Sequence, residues 1–242
     1  MRVGEVEGIG HAMGAVSCDV MARMGAEQMA VRIGSLDIDA ASEASEEGAT
    51  AILSADGTYL NRVFLREGRW PSKANECVLV ADKPVAGVGT GDVIEVLYGT
   101  TDLDDVLSED KLTVVGTVSS SNYPYTGSFG STTLGSGMIG AYLYVAPAAF
   151  AEDAPFTEIY ASVVGASALE SGSDAYEDAV GVVRDRLEAR EGELARARLD
   201  DVRADAQEEL DEKRADYERE RDDALAELDV GAAAGHVGGD GD

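Results

Sequence analysis

Between residues 174 and 229 the chain has no proline and is dominated by Ala, Glu, Asp, Arg and Leu, so a single long helix is the regular structure it specifies. At about 1.5 Å per residue, such a helix would reach on the order of 80 Å unbroken. Residues 174–191 put Val180, Val183 and Leu187 on one face, as expected of a helix seated on strands. Farther along, Ala195, Leu199, Val202, Ala206, Leu210, Tyr217, Ala224 and Leu228 share one stripe, interrupted by Lys213 and Arg221. Steps of four, three and four average about 3.67 residues, an 11-residue period that makes a nearly straight or slightly right-handed stalk. A lone helix with so charged a surface is marginal. The stripe therefore asks for a second helix, a copy of itself or another protein, the competing reading being a solvated spacer.

Upstream of Ser173 the pattern is of a different kind. Val16, Cys18, Val20, Ala22 and Met24 alternate on one face of a half-buried strand. Gly25 turns the chain, and residues 28–36 read as its antiparallel partner. Residues 93–98 and 112–118 are β-branched and alternating, and 77–80, 141–145 and 156–164 are further strands. Residues 147–150 read as one helical turn. Residues 3–11 have helical spacing broken by Gly4, Gly8 and Gly10, which reads as a short frayed helix. Residues 51–53 open a strand or short helix before a turn at Asp56 and Gly57. Trp70, held extended by Pro71, is expected to cap a core edge. Met13, Met21, Met24 and Met29 read as gap-fillers in a core.

One loop stands apart. From Gly116 to Gly140 the chain passes through Ser, Thr and Gly with Tyr123, Tyr125 and Phe129 as its anchors. Gly127, Gly130, Gly135, Gly137 and Gly140 make tight folding inexpensive, and loops of this length are usually functional or mobile.

Charge narrows the partners. Forty-seven Asp and Glu against 19 Lys and Arg give a formal net charge of -28, which argues against nucleic acid or an anionic lipid surface. The acidic clusters at Asp37, Asp39, Glu43, Glu46 and Glu47, and at Asp102, Asp104, Asp105, Glu109 and Asp110, lack metal-ligand spacing and read as solvated loops or a short helix. Cys18 and Cys77 belong to no metal or redox motif and read as small core residues, with a bridge between them left open.

Catalytic constellations do not stand out. His11 and His236 lie near the ends without partners, no phosphate-binding loop is encoded, and Ser119, Ser120 and Ser121 have no neighbouring base. Carboxylates are too abundant for any pair to signify acid–base work. The expectation is a non-enzyme with no cofactor and no metal. No run of about 20 apolar residues is present to span a bilayer.

Several blocks, in order, carry a family likeness: Tyr59-Leu-Asn-Arg-Val-Phe-Leu-Arg-Glu-Gly-Arg-Trp-Pro71, Asn75-Glu-Cys-Val-Leu-Val80, Gly89-Thr-Gly-Asp-Val-Ile-Glu-Val96, Leu112-Thr-Val-Val-Gly-Thr-Val118, Gly130-Ser-Thr-Thr-Leu-Gly135 and Ala141-Tyr-Leu-Tyr-Val-Ala-Pro-Ala-Ala-Phe150. Their succession resembles the large extracytoplasmic domain of FtsX-like, MacB-type ABC transporter permeases. The resemblance implies an α+β fold with a ferredoxin-like α+β subdomain, a small β-rich subdomain and a long C-terminal helix forming a coiled-coil stalk. On that basis the divisions are 1–58 and 141–191 for the α+β subdomain, 59–140 for the β-rich part with the glycine loop, 192–229 for the stalk and 230–242 for a disordered tail.

The implied function is that of a non-catalytic domain on the extracytoplasmic side of the cell membrane, passing ATP-driven motion of membrane helices, LolC-like, to a substrate or partner outside. Its partners would be the membrane helices of the same permease, a cytoplasmic ABC ATPase acting indirectly, and an extracytoplasmic protein or lipophilic substrate, with a homodimer also open. The chain would then be a fragment lying between two membrane helices, Met1 being an addition for expression. Tyr123, Tyr125 and Phe129 in the loop, with Leu210 and Tyr217 on the stalk, are the candidate contact residues, a core role being the alternative for all five. A secreted or surface-anchored scaffold of adhesin type is the competing class, and a carboxylate hydrolase ranks below both. The permease reading requires Val3 and the last strand of the head, Ile159 to Val164, to lie on a common side.

Overall fold

The computed structural model describes residues 3–46, 60–100, 103, 106–123, 129–152 and 154–235, without the side chains of 44–46, 223–224 and 226–235. The expected elements at 51–53 and 56–57, together with Tyr125, Asp102, Asp104, Asp105 and His236, lie outside the described residues.

Residues Val3–Glu5 form a 3-10 turn. The chain then enters strand β1 (Ile9–Ala15), so the helix expected over 3–11 is replaced at Ile9 by a strand. The reason is a distant partner. β9 (Glu158–Val163) pairs antiparallel with β1, Ile9 opposite Val163 and Ala15 opposite Glu158, and the Val164 amide donates to the Gly8 carbonyl at 2.9 Å. This ladder supplies the strand's hydrogen bonds, which no local signal encodes.

β2 (Ser17–Met24) and β3 (Glu27–Ser35) form the expected hairpin, with Gly25 at φ +60 in its turn. Helix α1 (Ile38–Glu46) follows, where the acidic stretch read as a loop or short helix. β4 (Val63–Gly68), β5 (Glu76–Val80), β6 (Val93–Gly99), β7 (Lys111–Ser120) and β8 (Ile139–Val145) complete a seven-stranded sheet in the order β4-β7-β5-β8-β3-β2-β6.

That sheet closes on itself, because β6 pairs with β2 on one side and with the start of β7 on the other. One edge of β7 is shared: Lys111, Leu112 and Thr113 face β6, whereas Gly116 to Ser120 face β4. The result is a six-stranded barrel with β4 laid on as a flap. β3–β8 and β5–β7 are parallel pairs and the rest antiparallel. Strands of segments 1–58, 59–140 and 141–191 share this one sheet, so those divisions do not mark separate sheets, and β1–β9 is a two-stranded ribbon beside it.

Alternation explains why the ring fills. Val20, Ala22 and Met24 of β2, Val31 and Ile33 of β3, Cys77 and Leu79 of β5, Ile94 and Val96 of β6, Leu112 and Val114 of β7, and Ala141, Leu143 and Val145 of β8 form one buried cluster. Small barrels are packed by their inward side chains in this way. Met21 and Met24 are buried and Met29 packs against this core, as expected of gap-fillers. A second cluster lies on the outer face, where Val78, Val80, Val115, Val118, Tyr142 and Tyr144 meet Leu36, Ala41 of α1 and Val63 of β4, with Trp70 at its edge.

Both cysteines are free thiols, and burial pushes each up to about 12. They are not bridged: Cys18 lies on β2 and Cys77 on β5, strands that are not neighbours in the ring.

Helix α2 runs Asp174–Gly235, with Ser173 capping its start through its hydroxyl to the Tyr176 amide at 3.2 Å. It extends past the expected end at 229 into the segment read as a disordered tail, where Ala232, Ala233 and Ala234 favour helix. By contacts the chain divides into two units, residues 7–183 and residues 1–6 with 184–242. The molecule is thus α+β, strands with a long C-terminal helix.

Candidate functional site

The turn after β4 is built by its own residues. Gly68 sits at φ +82, and a Cβ there would lie 2.3 Å from the Val115 carbonyl oxygen, so the flap can cross β7 only without a side chain. Arg69 then turns back on Glu76, donating at 2.8 and 2.6 Å to the two carboxylate oxygens. Ser72 adds its amide at 2.9 Å and its hydroxyl at 3.1 Å. Arg69, followed by Ser72, holds the Glu76 carboxyl down at about 2. The Glu-Gly-Arg-Trp-Pro block is therefore a staple between β4 and β5, and its residue types follow from that geometry.

Above the outer face lies an aromatic layer. Tyr142 and Tyr144 point outward from β8 while Leu143 points in, and their rings stand 4.7 Å apart. Tyr123 packs on Tyr142 at 5.0 Å and edge-on to Phe129 at 5.1 Å. Lys83 sits 5.7 Å over the Phe129 ring. The Tyr144 hydroxyl pairs with Ser120 at 2.9 Å. Arg32, near Tyr123, has its guanidinium clamped on Asp19 at 2.6 and 2.9 Å. Burial raises the phenols of Tyr123, Tyr142, Tyr144 and Tyr160, keeping them protonated donors at neutral pH.

The structure brings together two of the loop residues singled out from sequence and separates their roles. Phe129 is only 2% exposed, with Tyr123 and Lys83 packed over it. Tyr123 is half-buried at the rim of that cluster. Leu210 and Tyr217 are 59% and 66% exposed on α2. Leu199 and Val202 of the same stripe are exposed as well.

The ribbon supplies surfaces that sequence reasoning missed. Phe156, Ile159 and Val164 are exposed apolar residues in or beside β9, and the signal for them is apolar side chains on both alternation phases of one strand. Beneath the ribbon an open groove of about 860 Å³ runs between Met13, Leu36, Ile38, Phe150 and Phe156. A small pocket of about 30 Å³ adjoins it, between Met13, Glu158 and Tyr160 of the ribbon and Gly34, Tyr142 and Tyr144 of the barrel.

No protein-family model matches the chain, and no curated protein sequence does. Among solved structures, the crystal structure of the extracellular domain of the noncanonic ABC-type transporter YknZ from Gram-positive bacteria is similar over 76% of this chain and 79% of that one. The identity is 9% and the TM-score 0.32, a superposition loose enough that functional inference falls to the chain's own residues.

Proposed function

We propose that this chain is a non-catalytic extracytoplasmic domain of an ABC transporter permease of the FtsX/MacB type, transmitting motion of membrane helices to a protein or lipophilic substrate outside the membrane. The observation that carries the reading is the pairing of β1 with β9. Residues at the two ends of the head, Ile9 and Val163, are direct neighbours, which is what a domain rooted at both ends on one membrane side requires. Placement of these strands at opposite poles would have ruled it out. Supporting it, five of the six blocks that resemble the family fall on β4 with the Arg69–Glu76 staple, β5, β6, β7 and β8, all strands of one sheet.

In this role the barrel is a stiff body, and movement enters through the ribbon as one of two populated arrangements. Tyr123 at the rim of the aromatic layer and Leu210 and Tyr217 on α2 are the residues we assign to partner contact, and residues 192–229 act as the stalk. Membrane helices of the same permease and, through them, a cytoplasmic ABC ATPase are the proposed machinery.

The test is the gene expressed in its own cell. The product should fractionate with membranes, expose an epitope placed in this domain to antibody in intact cells, and co-purify with an ABC ATPase subunit. A product that is freely soluble, or whose epitope is reached only after lysis, would overturn the proposal.

A further inference from the structure

The stripe on α2 is more than apolar. At about 100° per residue, Leu199, Val202, Leu210 and Tyr217 fall within an arc of about 60° on either side of Leu199. Arg196, Arg203, Lys213, Arg214 and Arg221 share that arc, and of the acids between 195 and 222 only Glu220 reaches it. The other acids take the rest of the circumference, beginning with Glu209 and Asp216 along one border and Asp200 and Glu218 along the other. In a chain of net charge -28, one narrow strip is therefore both apolar and basic.

From 198 to 222 the strip is exposed. Lys213 and Arg221 reach Glu209 and Asp222 outside it, in exposed pairs that exchange readily. Arg196, Arg203 and Arg214 form no ion pair among the described residues, so their charge is open to a partner.

What fits the strip follows from its charges, because charged residues beside an apolar seam set which helix it accepts. A second copy would bring basic strip against basic strip, whichever way it ran. An anionic lipid surface fits poorly too: a helix lying among headgroups spreads Lys and Arg over its polar face, and here that face is acidic.

We propose that the strip is a docking surface for a helix of the opposite kind, one whose apolar seam is bordered by Asp and Glu. Leu199, Val202, Leu210 and Tyr217 supply the buried contact, and Arg203, Arg214 and Arg221 supply the choice of partner. This partner chemistry rests on the assignment of Leu210 and Tyr217 to partner contact and holds with or without a transporter around it.

The test uses the full chain and two labelled synthetic peptides of about 28 residues, with Leu at the four-three-four spacing of the strip and either Glu or Lys on both sides of it. By fluorescence anisotropy the Glu-bordered peptide should bind at least about tenfold more tightly, and raising KCl from about 0.1 M to 1 M should remove most of the difference. Arg203→Glu combined with Arg214→Glu should reverse the order, with Trp70 emission reporting an unchanged barrel. Equal affinities, a preference for the Lys-bordered peptide, or no binding of either overturns the proposal. So does a dimer of the chain alone in sedimentation equilibrium that Leu210→Asp abolishes, since the occupant would then be a second copy, and so does binding to phosphatidylglycerol vesicles in place of the Glu-bordered peptide. None of these outcomes bears on membrane fractionation of the gene product, so failure here and failure of the transporter reading are told apart.

Discussion

Leu143 and Leu210 are the same residue in two regions that make opposite demands on it. Leu143 is fully buried in the barrel, and every neighbouring strand contributes a side chain to its surroundings. Leu210 is 59% exposed on a helix whose described side chains from 198 to 222 all face solvent. The barrel is held by burial and the helix by its own backbone bonds and exposed charge pairs such as Lys213 with Glu209 and Arg219 with Asp216. Exposed pairs of this kind contribute only tenths of a kcal/mol each. Stability in this chain is thus concentrated where the sequence alternates and thin where it is merely helical.

The largest expected effect follows directly. Leu143→Ala should cost about 2–5 kcal/mol in urea unfolding followed by Trp70 fluorescence, through lost transfer and a cavity. Leu210→Ala should stay within about 0.5 kcal/mol in the same assay. Equal losses would mean that the stripe on α2 is covered in solution, and the contrast between the regions would collapse.

Glu76 gives an intermediate effect. Glu76→Gln weakens the staple with Arg69 and Ser72 and should cost about 1–2 kcal/mol at neutral pH. Its carboxyl is depressed in the folded state, so its contribution is present above the ordinary value of 4.5 and disappears as pH falls through about 2. Acid titration of both proteins should therefore bring their stabilities together between pH 4.5 and 2. A gap that persists at pH 2 would show that packing, not charge, accounts for the loss.

The smallest expected effect is that of salt. A net charge of -28 repels itself, and raising KCl from about 0.1 M to 1 M shortens the screening length from about 10 Å to about 3 Å. Melting should rise by a few degrees. The helical signal at 222 nm should gain more than the barrel's tryptophan signal, because residues 204–222 carry nine Asp and Glu against four Lys and Arg. A larger gain in the barrel would reverse the comparison.

Local order was legible wherever one residue type repeats with one period. Val16, Cys18, Val20, Ala22 and Met24 announce β2 and its inward face, and the run from Asp174 announces α2. Closure of the ring was not legible. It depends on Thr113 facing Val93 on one edge while Gly116 faces Gly68 farther along, and a strand that changes partner midway leaves no trace in its own alternation. β1 was misread for the same reason, its pairing partner lying at the other end of the head. At the candidate site, Tyr123 and Phe129 were visible as anchors of the glycine loop, but which of them turns inward is decided by Tyr142 and Lys83.

The ribbon also has a place in time. His11 and Ser162, joined across it, are 151 residues apart in the chain, so their meeting must wait for the intervening strands to collapse. The separation makes the ribbon the expected last part of the head to zip and the first to fray, an order that pulsed amide exchange in β1 and β9 against the ring would check.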